Sequence, residues 1–257
     1  MDPVTITSTI AISAATSLVT KGADAPANTL NLLWQATIGR IDPYLEKSIK
    51  EHRQNVLKYA EDINQEVNAI PPDKINQSPD IGVLGPALEA SKYYVEDEVV
   101  RKMFVKLIGA ELDLRKSHKI HHSFVDIIRQ MNSNDARLLP LLPGIGPLAE
   151  IKLSVKNQTK YMRIGPQNIL FIPPTVIDNF ENNAVSLNNL DRLGLIELDH
   201  LCSLQDQSIY EPYKNLSYYQ QALKMLSNNS NLFGEVKISK GSFTITSYGE
   251  LFKSICL

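Results

Sequence analysis

The chain has 257 residues, 43% of them hydrophobic and 21% charged, with 26 Lys and Arg against 28 Asp and Glu for a formal net charge of −2. That is the balance of an ordinary globular protein with room for one large domain or two, and it excludes a disordered or polybasic chain. From Leu148 to Leu257 ten Lys and Arg face ten Asp and Glu, leaving sixteen against eighteen before it, so neither half is an electrostatic magnet for nucleic acid.

Two cysteines, Cys202 and Cys256, neither staple a small fold nor supply the four ligands of a structural zinc, and a reducing, cytoplasmic setting is the natural reading. The run Val4 to Thr20 is apolar but studded with Ser and Thr. It lacks the basic start of a signal peptide and is shorter and more polar than the ~20 apolar residues of a membrane span. We read it as a helix with a small-residue face through Ile6, Ile10, Ala14 and Leu18; a membrane-active or partner-binding segment is the alternative and is not favoured.

After a break at Gly22 to Pro26, a second helix carries Leu30, Leu33, Trp34 and Ile38 and ends at Gly39. Asp42-Pro43 supplies a capping aspartate and a proline at the first helical position, and opens a long central helix over 43–70. Its apolar positions include Leu45, Ile49, Val56, Ala60, Ile63, Val67 and Ile70, a narrow stripe suited to a long antiparallel packing or a short coiled coil. Glu46 with Lys50 and Lys47 with Glu51 add about 0.3 kcal/mol each on its outer face. Pro71-Pro72 stops it, and Asp73 to Gly85, with Pro79 and Gly82, reads as a connector.

Two further helices follow. The first starts near Val95, where Glu96, Asp97 and Glu98 meet the positive end of the helix dipole, and runs to about Asp113 on Val100, Met103, Phe104, Leu107 and Ile108. The second runs on Phe124, Ile127, Ile128, Met131, Leu138 and Leu142, and Ser123 with Asp126 forms a capping-box pattern at its start. Between them Arg115 to His122 is basic and belongs on the surface.

These residues resemble a known pattern. Pro86, Leu88, Glu89 and Ala90, then Arg101, Met103, Phe104, Leu107, Ala110 and Asp113, then His121, Ser123 to Val125, Ile127, Ile128 and Gln130 are similar to the core of the abortive infection alpha family. The likeness extends over Leu45 to Cys256, through Ile70-Pro71-Pro72, Asn189 to Ile196, and Thr246, Gly249 and Phe252. Where the family usually has proline after the histidine this chain has His122, and a leucine-serine-proline-aspartate-glutamate run is replaced by Met131 to Asp135. The resemblance implies a bacterial role in phage resistance and carries no catalytic residues over.

Beyond Pro143 to Pro147, the strongest punctuation in the chain, the pattern changes. Ile151 to Val155, Tyr161 to Ile164 and Ile169 to Ile172 read as short strands, divided at Asn157 to Thr159 and Gly165-Pro166. Helices follow from about Thr175 and through Leu187, Leu190 and Leu193 with Gly194 as the stop, and then the segment Leu195 to Leu198. After a helix around Leu216 to Leu226, Glu235 to Thr246 reads as a hairpin turning at Lys240-Gly241, and a last helix carries Tyr248, Leu251, Phe252 and Ile255. The expected fold is α+β, mainly α: an N-terminal helical bundle, 1–142, and a C-terminal winged-helix-like part, 148–257, with short strands and a β-hairpin.

No motif names a reaction. His118, His121 and His122 crowd near Glu111, Asp113 and Asp126, the residue types of a metal or acid-base site, but no spacing puts two histidines one helical turn apart around a glutamate. The plainer reading is that His121 orients the following helix while His118 and His122 are solvated. Gly144 and Gly146 lack the Lys-Ser or Lys-Thr of a phosphate loop, and there is no Gly-x-Ser-x-Gly elbow. We expect no enzyme, cofactor or metal, and take Arg115, His118, His121, His122 and Ser123 as the candidate functional surface. The winged-helix likeness raises DNA reading by Asn188, Asn189, Asp191 and Arg192 with Lys237 and Lys240 on the wing, but those charges largely cancel and specific nucleic-acid binding is not favoured. The function expected is anti-phage defence by abortive infection through contact with a phage or host protein. A winged-helix DNA-binding regulator and a membrane-acting effector are the alternatives, and a homo-oligomer through the helices is left open.

Overall fold

The computed structural model describes residues 14–38, 49–171 and 179–257, with side chains for all of these except 49–53. The architecture is α+β, and the chain divides into two compact units, Met1–Ala136 with Leu251–Leu257, and Arg137–Glu250.

In the first unit α1 (14–20) turns into α2 (Asp24–Thr37) at Gly22, whose φ of +76° is open to glycine without Cβ strain. Leu18, Leu30 and Trp34 are buried, and Trp34 stacks on Tyr59 of α3 (Ile49–Asn68) at 5.7 Å between ring centroids. The stripe expected on α3 is real: Val56, Ala60, Ile63 and Val67 are all buried. The start expected at Asp42-Pro43, with Leu45 and the two outer ion pairs, lies outside the described residues, as do Ile6 and Ile10. Lys21 Nζ donates to the carbonyls of Val67 at 3.0 Å, Asn68 at 2.9 Å and Ile70 at 2.7 Å. It thus supplies donors and a positive charge where the last carbonyls of α3 lack helical partners.

The connector expected over Asp73 to Gly85 is corrected by a helix, α4 (Ile81–Ser91). Asp80 caps it by accepting the Gly82 amide at 2.7 Å, so Gly82 sits in the first turn, and Pro86 forgoes only the bond to the Gly82 carbonyl. Gly82 thus stands in the first turn, where its defect costs little, whereas Pro86 stands inside the helix and its cost is met by the burial of Val83, Leu84, Ala87 and Leu88. Next comes α5 (Glu98–Glu111), capped by the Asp97 carboxylate on the amides of Val99 and Val100. Asp62 meets Arg101 at 3.3 Å and Glu66 meets Lys106, so contacts advance together along α3 and α5 and the two run in the same direction. The antiparallel partner of the α3 stripe is α2, since Lys21 ahead of it meets the carbonyls of Val67 and Ile70 and Trp34 near its end lies on Tyr59; α4 makes the return to α5.

The single helix expected from Phe124 to Leu142 is two, α6 (Phe124–Arg129) and α7 (Ser133–Leu138). The capping box expected at Ser123 and Asp126 does not form, because Ser123 is already helical (φ −67°, ψ −9°) and its side chain makes no cap bond. The box lies nine residues on instead. Asn132 Oδ1 accepts the amides of Asn134 at 2.8 Å and Asp135 at 2.9 Å, and the Asp135 carboxylate accepts the Asn132 amide at 2.9 Å. The run Met131 to Asp135 therefore keeps a cap and an acceptor three residues later despite its departure from the family's residues.

The second unit is a four-stranded antiparallel sheet, ordered β2 (Tyr161–Ile169), β1 (Ile145–Val155), β4 (Phe233–Ile245), β3 (Ile196–Asp199). Two expectations fail here for related reasons. The hairpin at Lys240-Gly241 is one unbroken strand, in which Lys240 pairs with Ala149 and Gly241 with Leu148. Gly241 is needed for close approach: a Cβ there would lie 2.6 Å from the Asp199 carbonyl oxygen. Likewise Gly165 (φ +82°) and Pro166 bulge within β2 between the Ile151–Ile164 and Ala149–Ile169 pairs instead of dividing two strands. Gly146 and Pro147, part of the punctuation at Pro143 to Pro147, are β1 residues, and the Phe243 ring lies 2.5 Å from a Cβ built on Gly146.

One face of the sheet, with Ile151, Leu153 and Ile164, is covered by the 3-10 turns Gln207–Asn215 and by α9 (Ser217–Asn228) through Tyr210, Tyr213 and Ala222. The helix α8 (Phe180–Arg192) buries Leu187 and Leu190, and Gly194 (φ +73°) follows its end as expected. The helix expected from about Thr175 begins outside the described residues. The last helix, α10 (Ser247–Cys256), places Phe252 edge-on against Phe124 in the first unit, 5.2 Å between centroids.

Candidate functional site

The corner between α5 and α6 is built around a buried carboxylate. Asp113 is 3% exposed and forms a two-strand bridge with Ile75, locked by Leu114 N on the Lys74 carbonyl and Asn76 N on the Leu112 carbonyl, both 2.9 Å. Arg115 binds it in a fork, Nε to Oδ1 at 2.9 Å and Nη2 to Oδ2 at 2.6 Å, and adds its own amide to Oδ1 at 2.9 Å. The guanidinium holds the Asp113 carboxyl below the usual carboxylate range, and the pairing raises Arg115 in turn. Half of the Arg115 side chain still faces solvent.

The three histidines go to three different partners. His118 Nδ1 lies 3.4 Å from the Leu114 carbonyl. His121 Nδ1 sits 2.6 Å from Ser123 Oγ and accepts the Ser123 amide at 3.2 Å, so the ring does orient the start of α6. This also occupies the nitrogen that a general base would present to the serine. His122 Nε2 is 3.4 Å from Asp80 Oδ2, at the cap of α4. Behind that pair Glu111, 3% exposed, accepts the Asp80 amide at 2.8 Å, and burial raises its pKa, with the Asp80 charge adding. Among the described residues no group of three or more His, Cys, Asp and Glu side chains is placed to hold a metal ion.

The structure thus joins Arg115 to Asp113, His121 to Ser123 and His122 to Asp80, and does not gather the five candidates around one point. Alongside Arg115 opens a cleft of about 70 Å³, lined by Glu66, Lys106, Gly109, Asp113 and Lys116 among others. Lys106 and Glu66 come from α5 and α3, so spacing along the loop gave no hint of them. Leu114, 47% exposed, stands beside the guanidinium in sequence. The corner presents a fixed positive charge beside an exposed apolar side chain.

The molecule is therefore an α+β protein pairing a helical unit with an antiparallel-sheet unit, and among its described residues no helix is long and apolar enough to cross a membrane. The pattern of the family described as abortive infection alpha matches residues 51–256, most of the chain, and the chain belongs to that family. Comparison with curated proteins and with solved structures finds no match.

Proposed function

We propose that this protein acts in bacterial anti-phage defence by abortive infection, working in the cytoplasm through contact with a phage or host protein at the corner 113–123. Family membership supports the defence role. The observation that carries the contact surface is Arg115, held by the buried Asp113 with half its side chain outward, beside Lys116 and the exposed Leu114. A pre-positioned cation next to an apolar side chain loses little freedom on docking and is the kind of group that anchors interfaces.

The alternatives draw less support. The winged-helix likeness of 148–257 rests on the order α8, β3, α9, β4, α10, but the side chains that would read bases are engaged: Asn188 accepts from Asn168, Arg192 forks onto Asn189, and Asp191 accepts the Leu198 amide. A membrane effector would use the N-terminal segment, in which Ala14, Ala15 and Leu18 of α1 are buried in the protein.

The test is expression in a susceptible bacterium with phage yield and survival of infected and uninfected cells scored together. The parent lowers yield at the expense of infected cells. Leu114→Ala with Lys116→Gln, which leaves the fork of Arg115 on the buried Asp113 in place and adds no carboxylate beside it, abolishes protection while the protein stays folded by circular dichroism. Full protection by that variant would remove the corner from the mechanism, and a parent inactive against a broad phage panel would remove the defence role.

A further inference from the structure

We propose that the end of the sheet nearest the turn from β1 to β2, on the face away from α9, binds single-stranded nucleic acid through its phosphates, a property separate from the contact at 113–123. Ile151, Leu153, Ile164, Val236 and Ile238 face the core, so strand alternation sends Lys152, Arg163 and Lys237 to the opposite face. Lys152 stands directly opposite Arg163 on β2 and directly opposite Lys237 on β4. Three cations therefore form one row across three strands, with neighbours about 5 Å apart at the backbone.

Like charges directly opposite one another destabilise a sheet, and this row is only partly neutralised. One carboxylate, Glu150, serves two of its members, at 2.5 Å from Lys152 Nζ and 3.7 Å from Arg163 Nη1. Lys237 makes no ion pair among the described residues, and its ammonium lies 6.0 Å from the centroid of the Tyr161 ring. Arg163 and Tyr161 are half exposed. Lys156 and Lys160 flank the turn from β1 to β2 and Glu235 lies along β4, so five cations meet two carboxylates in a unit whose overall charge is near balance. Repulsion retained in a surface row is relieved by a polyanion laid along it.

The chemistry favours a single strand over a duplex. The row itself lies on strands and presents no helix to a groove, whereas an exposed ring beside cations can stack an unpaired base while the row neutralises phosphates. With three phosphates contacted at about 0.7 each in the salt slope, affinity falls about 20-fold between 50 and 200 mM salt.

The experiment uses the full chain and a fluorescein-labelled 15-nucleotide oligothymidine, read by anisotropy across that salt range. Arg163→Gln with Lys237→Gln should cut the slope to about a third, and Tyr161→Ala should weaken binding about fivefold with the slope unchanged. The cation variant should melt at or above the parent, since it relieves repulsion. A duplex of the same length should bind more weakly. The inference is overturned by salt-independent or absent binding, by a cation variant that binds like the parent or melts below it, by equal affinity for duplex, or by binding confined to phosphatidylserine vesicles.

Discussion

At Gly249 a methyl group would lie 2.0 Å from the carbonyl oxygen of Leu195, a backbone atom that cannot swing aside. Thr246 completes the corner: its hydroxyl donates to the Gly194 carbonyl at 2.6 Å and accepts the Gly249 amide at 2.9 Å, capping α10. Thr246 and Gly249, which stand out in the sequence only by resemblance, are thus a cap and a close approach, and Phe252, legible also by its helical spacing, is a core residue. Gly249→Ala should cost about 3 kcal/mol, at the upper end for overpacking, and lower the melting temperature by about 6–12 °C. A variant melting within 2 °C of the parent would show that α10 can shift to make room.

Arg115 and Glu111 give the same corner opposite pH behaviour. The Asp113 pKa is lowered by Arg115, so the pairing stabilises the fold above the ordinary aspartate value of about 4 and is lost as pH falls through the lowered folded value. The Glu111 pKa is raised by burial, so its contribution is present below about 4.3 and is lost as pH rises through the folded value. Arg115→Gln should therefore be less stable than the parent at pH 7, and the gap in urea midpoint should narrow progressively as pH falls below about 4. A gap that persists in acid would mean that the guanidinium acts by packing instead of charge.

Periodicity made most of the helices legible, because α3, α5, α8 and α10 each hide one apolar stripe at helical spacing. Ile63→Asp tests the longest of them. A carboxylate in that buried stripe costs several kcal/mol against a total of about 5–15, and Trp34, the single tryptophan, should report the loss of the first unit by its fluorescence. Parent-like melting would place the buried face elsewhere. What could not be read were elements whose punctuation serves tertiary contact. Gly82 sits in the first turn of α4 and Pro86 inside it, in a helix held by its buried face, and Gly241 admits the Asp199 carbonyl where a turn was expected. The cation row escaped notice for a similar reason: Lys152, Arg163 and Lys237 meet only through strand register, across 85 positions of sequence. At the corner the basic loop was visible, but its anchoring by the buried Asp113 and its neighbour Lys106 depended on packing.

At the scale of the whole molecule, the first unit is assembled from two distant pieces of chain, with Arg137–Glu250 lying between them in sequence. Phe252, fully buried, fills the first unit against Phe124. During synthesis the helices up to residue 136 emerge early, yet their core stays incomplete until 251–257 have left the ribosome, several seconds later at about 5–20 residues per second. A chain broken off anywhere within the sheet unit would lack that plug. Folding of the first unit is thereby tied to synthesis of the whole sheet unit, and a copy lacking 251–257 would hold Phe124 against an unfilled core.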